Sequence, residues 1–444
     1  MNLLHTTLAS MLTGLLLGCT GFAPNRLDLT ASCTLNAKDP LHAPAPCHHA
    51  ALEKIVADAD PPVPAMEVAY VEFTDQGWLH SRKQMEQAVA RVRPLADDPR
   101  PVQLVVFVHG WKHNAGFNDD NVSNFRRGIL DNFAARVGPG VRTVGLYVGW
   151  RGDSININGL NNITFYDRKA TAEHVARGSI RELFAHIRVL AEKSPRPDPS
   201  LRVVLIGHSF GGLIVFNAVA DTLLDELVRA QGGGAPRSLF DLAVVLNPAF
   251  EASRFEPLFQ VAKGSPPISA SRPLFVSITA SNDSATRTAF PFGRAVNSFF
   301  DHEAWTDQDQ CPGGFAPSGE CPTFDRALRL EKRANTQTMG HVPRYFTHDL
   351  TMAGDGRVDC RNMAAPPLSP GAAPALLPQA LKQGNRFPLW TLRASREVVD
   401  NHSGIYNPEL WRFLANLAYA DKSADVDALC QAPTALPPLP AGPG

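Results

Sequence analysis

The stretch Val203-Val204-Leu205-Ile206-Gly207-His208-Ser209-Phe210-Gly211-Gly212 decides the fold. Its first four residues are apolar without interruption, the mark of a strand buried on both faces. From Gly212 to Ala230 the chain reads as helix, stopped by Gly232-Gly233-Gly234. A strand that passes so directly into a helix must bend sharply, and the small residues flanking Ser209 make room for the bend. The pattern G-x-S-x-G alone is a weak signal. Its position between a buried strand and a helix gives it weight.

Outward from this point, strands and helices alternate. Upstream, Val68–Phe73 reads as a strand, Ser81 to Arg93 as a helix, Leu104–Val108 as a second buried strand and Asp120 to Val137 as a helix. Val144–Val148 follows as a strand, then a single long helix from Asp167 to Glu192 with Val175, Ile180, Leu183, Phe184, Ile187 and Leu190 on one side. Downstream come strands at Leu242–Leu246 and Leu274–Ile278, and much later a strand at Pro388–Leu392 and a helix from Pro408 to Ala420. This alternation predicts one α/β domain with a mostly parallel central sheet flanked by helices. Residues 66–430 form it. Residues 285–386 break the rhythm and read as an insertion before the last strand, a candidate lid over the site. Residues 431–444 are a Pro-rich tail.

At the elbow the chain resembles the α/β-hydrolase superfamily, esterase/lipase branch, over residues 66–420. The resemblance implies that Ser209 is a nucleophile, held in an elbow by Gly207, His208 and Gly211. Val108-His109-Gly110-Trp111 ends an earlier strand, and in this superfamily a strand followed by His-Gly supplies half the oxyanion hole. The backbone N–H groups of Trp111 and Phe210 then face the oxyanion, and Gly110 lets the backbone turn towards the substrate. Lys112-His113-Asn114 follow as candidate pocket residues. Asp283, just past the strand ending at Ile278, stands where the triad acid belongs, with Glu251 as competitor. The base comes last in this fold: among His341, His348 and His402, His402 lies between the final strand and the final helix, and His348 is the runner-up. The order Ser209, Asp283, His402 matches the family. It implies ester hydrolysis through an acyl-enzyme, with no metal or organic cofactor. Asp119-Asp120 read as an N-cap rather than as calcium ligands.

The chain of 444 residues is 44% hydrophobic and carries a formal charge of −1, which excludes wholesale disorder and argues against a nucleic-acid partner. The amino terminus has a short apolar run, Leu8 to Leu17, ending in Leu16-Leu17-Gly18-Cys19. It resembles a bacterial lipobox, although no Lys or Arg precedes the apolar run. The resemblance implies that residues 1–18 are a removable signal peptide. It also implies lipidation of Cys19, attachment to a bacterial envelope membrane and, with Thr20 next, the outer membrane. Residues 19–65 then read as a tether and an irregular lead-in.

Of seven cysteines, Cys19 accounts for the odd one. The other six suggest disulfides. The pairs expected are Cys33–Cys47, Cys311–Cys321 and Cys360–Cys430. Cys47-His48-His49 has no second ligand pair at zinc-like spacing. Two readings compete with an esterase acting on an ester or lipid: a non-catalytic binding or structural envelope lipoprotein that keeps the fold, and a peptidase or acyltransferase using the same triad.

Overall fold

The computed structural model describes residues 23–31, 33–40, 45–57, 64–93, 98–152, 165–194, 200–234, 240–264, 272–291, 334–362, 386–421 and 423–431. In chain order the elements are β1 (Cys33–Asn36), β2 (Leu52–Val56), β3 (Pro64–Phe73), α1 (Arg82–Val92), β4 (Val102–Val108), α2 (Asp120–Gly128), β5 (Arg142–Trp150), α3 (Phe165–Arg177), α4 (Ile180–Glu192), β6 (Leu201–His208), α5 (Phe210–Gln231), β7 (Leu242–Leu246), α6 (Ala252–Gly264), β8 (Phe275–Ala280), β9 (His348–Met352), β10 (Val358–Asn362), β11 (Leu389–Ala394), α7 (Pro408–Ala418), α8 (Ser423–Leu429) and β12 (Cys430–Gln431).

Among the described residues the strands form one sheet in the order β1-β2-β3-β5-β4-β6-β7-β8-β11-β9-β10-β12. From β3 to β11 every neighbouring pair is parallel. Every residue of β4, β5 and β6 is buried. The continuous apolar runs arise because side chains of one strand serve two cores. Leu104, Val106 and Val108 of β4 point into the core under α1, α3, α4, α5 and α6. Val105 and Phe107 point into the opposite core, which contains Phe125 of α2 and Trp411 of α7.

Local chemistry sets the helix boundaries. Ser81 caps α1 by accepting from the Gln84 N–H, and Met85, Ala88, Val89 and Val92 line its buried face. Asp119 caps α2 by accepting from the Asn121 N–H. The single helix expected over 167–192 is two, α3 and α4. The turn after β3 wedges between them: Ser179 N donates to Gly77 O at 2.8 Å, and a Cβ on Gly178 would lie 2.2 Å from that oxygen. This contact joins residues a hundred positions apart, so no local periodicity announces it.

Both ends of the sheet hold more order than the sequence suggests. The lead-in supplies β1 and β2, which pair in parallel, and the Cys33–Cys47 disulfide joins β1 to the helical turn that precedes β2. Arg26 and Arg126, both fully buried, share the Glu53 carboxylate beneath the sheet. From the stretch read as an insertion, β9 and β10 extend the sheet beyond β11, and the Cys360–Cys430 disulfide joins β10 to β12. The Cys311–Cys321 pair and Cys19 lie outside the described residues, as do 292–333 and 363–385. Among the described residues no helix is long and apolar enough to cross a membrane.

Candidate active site

The residues singled out in the sequence meet at the carboxyl ends of β4, β6, β8 and β11, where open parallel sheets place their ligands. Ser209 sits between β6 and α5 with φ 55° and ψ −119°. A non-glycine residue in that region stores roughly 1–3 kcal/mol of strain. The neighbours explain how the turn is tolerated. A Cβ on Gly207 would lie 2.4 Å from Gly211 O, and one on Gly211 would lie 2.0 Å from Val108 O. The Ser209 N–H donates to Leu246 O at 3.0 Å, fixing the turn to the end of β7.

His402 reaches Ser209 from the loop after β11, its Nε2 2.8 Å from Ser209 Oγ. Its Nδ1 is 2.9 Å from Asp283 Oδ2. An ionised carboxylate only accepts, so the proton sits on Nδ1 and Nε2 is left to accept from the Ser209 hydroxyl. Asp283 is fully buried and its acceptor sites are occupied. Oδ1 accepts from the N–H groups of Ala285 and Thr286, and Oδ2 also accepts from Thr286 Oγ1 at 2.5 Å. Burial opposes its ionised form, but the His402 hydrogen bond and charge, with the Thr286 donors, outweigh it and hold the acid below its ordinary pKa. The His402 side chain keeps 24% exposure while Ser209 is 3% exposed, so the imidazole forms the edge open to solvent.

The loop carrying His402 is held from three sides. Asn247, at the end of β7 with φ 44°, donates from Nδ2 to the carbonyls of Asn401 and His402 and accepts from the Ala280 N–H. Asn282 accepts from the Asn401 N–H and donates to Asp400. His208 donates from Nε2 to His402 O at 2.9 Å, and burial pushes its pKa down to about 3, so it stays neutral. Asn247 escapes a sequence reading, because an Asn after a strand looks like an ordinary turn residue, and Asn282 stands out only as the neighbour of Asp283, with no sign of its hold on the His402 loop.

His109 is a scaffold residue. Its ring stacks on Trp150 with 3° between planes, its Nε2 accepts from the Trp150 N–H, and its Nδ1 meets Gly110 O at 2.9 Å. Burial lowers its pKa to about 4. It thereby braces the Gly110-Trp111 turn. A Cβ on Gly110 would lie 2.9 Å from Ser209 Cβ, so that backbone abuts Ser209. The loop is pinned to the end of β5, since Lys112 N donates to Gly152 O and Gly152 N to His113 O. Trp111 and Phe210 flank Phe165, their ring centroids 5.4 and 5.0 Å from its own, and Phe290 lies 6.2 Å from it. Phe210 and Phe290 are buried in the core, so Phe165 and Trp111, both half-buried, are the rings of this cluster that reach towards the surface.

The competing candidates lie elsewhere. Glu251 pairs with Lys169 and Arg254. His348 is buried in β9 with its ring 4.1 Å from that of Trp390. His341 approaches the acid from behind, its Nε2 2.9 Å from Thr286 Oγ1. Asp119 caps its helix and contacts His113. Among the described residues, one group has metal-ligand spacing, His348 with Cys360 and Cys430 within 4.8 Å. The two sulfurs are bonded to each other, which removes the thiolates a metal would need.

No family model matches the chain, and no curated protein does. Among solved structures it is similar to phospholipase PlaB from Legionella pneumophila in complex with thio-NAD. The identity is 12% and the TM-score 0.28, over 74% of this chain and 60% of that one, so the chain spans less than two thirds of that structure. The architecture is a mixed α/β fold, a large mostly parallel sheet with flanking helices, compatible with an α/β-hydrolase.

Proposed function

We propose that the chain is a serine hydrolase that cleaves carboxylic esters. The observation that carries this reading is the unbroken hydrogen-bonded line Ser209–His402–Asp283, with the serine held in a strained turn. As Ser209 Oγ attacks the acyl carbonyl, its proton passes to His402 Nε2, and Asp283 orients the imidazole and stabilises its charged form. The carbonyl oxygen becomes an oxyanion received by the N–H groups of Phe210 and Trp111. Losing one such donor typically costs about 3 kcal/mol of barrier. The ester C–O bond then breaks, and the leaving alcohol takes the proton from Nε2. A water, deprotonated by His402, attacks the acyl-Ser209 ester. The acid departs and Oγ recovers its proton.

The half-buried rings of Phe165 and Trp111, the latter following the Gly110 backbone next to Ser209, support an apolar acyl group. The lipobox-like Leu16-Leu17-Gly18-Cys19 supports a lipid anchor at Cys19 in the bacterial envelope, the outer membrane in particular. A p-nitrophenyl ester series of increasing chain length tests the activity. Wild type should turn over at least one ester, and Ser209→Ala none above background. Equal rates would remove the nucleophile assignment. Fatty-acid labelling of cells making wild type or Cys19→Ala tests the anchor, and label in both would refute it.

A further inference from the structure

Behind the acid lies a docked segment. Residues 334–345 pack across the start of α6 and the end of β8: Ala252 N donates to Gln337 O at 2.9 Å, and Thr338 pairs with Glu251 in a single antiparallel bridge. A Cβ on Gly340 would lie 1.8 Å from Thr279 Oγ1, so only glycine allows this approach. Met339 and Tyr345 are buried, and the Tyr345 hydroxyl donates to Glu256. The segment delivers His341 to Thr286.

The direction of these bonds is fixed. Thr286 has one hydroxyl proton and donates it to Asp283 Oδ2. Towards His341 the hydroxyl must therefore accept, and His341 must present Nε2–H. Burial holds the His341 pKa down to about 4, so the imidazole is neutral and can be only that tautomer. We propose that Thr286 and His341 are positioning residues that lengthen the line to Ser209–His402–Asp283–Thr286–His341 and tune the basicity of His402 through Asp283. As a statement about catalysis this rests on the hydrolase reading above; as a statement about His402 titration it does not.

Each hydrogen bond donated to Asp283 draws charge from the carboxylate and weakens its support of the His402 imidazolium. His341 polarises the Thr286 hydroxyl and strengthens that donation. Without the pair, Asp283 supports the imidazolium more strongly and the His402 midpoint rises. Besides Asp283, the groups facing His341 are Arg287, from the turn after the acid, and His402. His402 faces the neutral His208, whose ring centroid lies 5.1 Å away. These groups are present in every variant compared.

The test is a titration of His402 in the full chain, followed by NMR of histidine labelled with carbon-13 and assigned with His402→Gln. Thr286→Val, nearly isosteric, and His341→Leu should each raise the midpoint by about half a pH unit. Thr286→Ser and His341→Gln, which keep a donor, should restore it. The double variant Thr286→Val/His341→Leu should shift no further than Thr286→Val. A folded Thr286→Val with an unmoved or lowered midpoint overturns the proposal, even if its turnover falls. Should His341→Leu fail to fold, Thr286→Val decides alone. A wild type that titrates with the expected shifts yet cleaves no ester would sink the hydrolase reading and leave this one standing.

Discussion

His208, the residue before Ser209, donates its Nε2–H to the main-chain carbonyl of His402 at 2.9 Å. The turn at Ser209 thus holds the backbone of the residue whose imidazole meets Ser209 Oγ. His208→Leu should leave Ser209 in its turn but loosen the His402 loop. Turnover at saturating ester should fall about tenfold with little change in KM, because misplacement by a fraction of an ångström weakens proton transfer. Steady-state kinetics on the folded variant check this.

The choice of base is separately testable. His402→Ala should lose nearly all turnover and Asp283→Asn about 10⁴-fold of it, as in triads where the imidazole takes the wrong tautomer. His348→Ala should keep most, since His348 packs on Trp390 in β9. The opposite ranking in an ester assay would assign the base to the wrong histidine.

The meeting of Ser209, His402 and Asp283 is legible in the sequence, Asp283 and His402 by order of occurrence and Ser209 by the buried strand and glycines around it. That worked because β4, β6, β7 and β8 are buried on both faces and write their burial directly into continuous apolar runs. The edge strands did not show. β1, β2, β9 and β10 are short, and each mixes buried with exposed or half-exposed positions, so their patterns are weak. Their places follow from pairing and from disulfides between distant cysteines. The break between α3 and α4 and the Asn247 clamp escaped for a similar reason, since each exists through a contact with a remote backbone carbonyl. His341 was visible as a late histidine. Its place behind Thr286 depends on how residues 334–345 dock.

Stability should depend on pH through buried histidines. Burial lowers His109 and His341 to about 4 and His208 to about 3, from an ordinary 6.5. Below 6.5 the unfolded chain takes up protons the folded chain refuses. The stabilisation is complete above 6.5 and is lost as pH falls towards 4 and then 3. Each histidine contributes a slope of about 1.4 kcal/mol per pH unit across its window. Denaturant midpoints should therefore drop steeply between pH 6.5 and 4.5, and a flat profile would contradict the assignment.

Glu53 holds the amino-terminal segment to the core. Its carboxylate accepts from Arg26 Nη1 at 2.9 Å, Arg126 Nε at 2.8 Å and the Tyr70 hydroxyl at 2.8 Å, all fully buried. Glu53→Gln leaves two buried guanidinium groups without their counter-charge. The expected loss is about 3–5 kcal/mol of unfolding free energy, read from guanidinium chloride melts. A loss below about 1 kcal/mol would mean that water reaches the cluster.

The proposed hydrolysis stands or falls on Ser209 being an activated nucleophile. The most direct measurement is covalent labelling of the folded protein by a fluorophosphonate, with the modified residue located by mass spectrometry. A stoichiometric adduct on Ser209 is expected in wild type and none in Ser209→Ala. Folded wild type that takes no label, or a label that persists in Ser209→Ala, would contradict it.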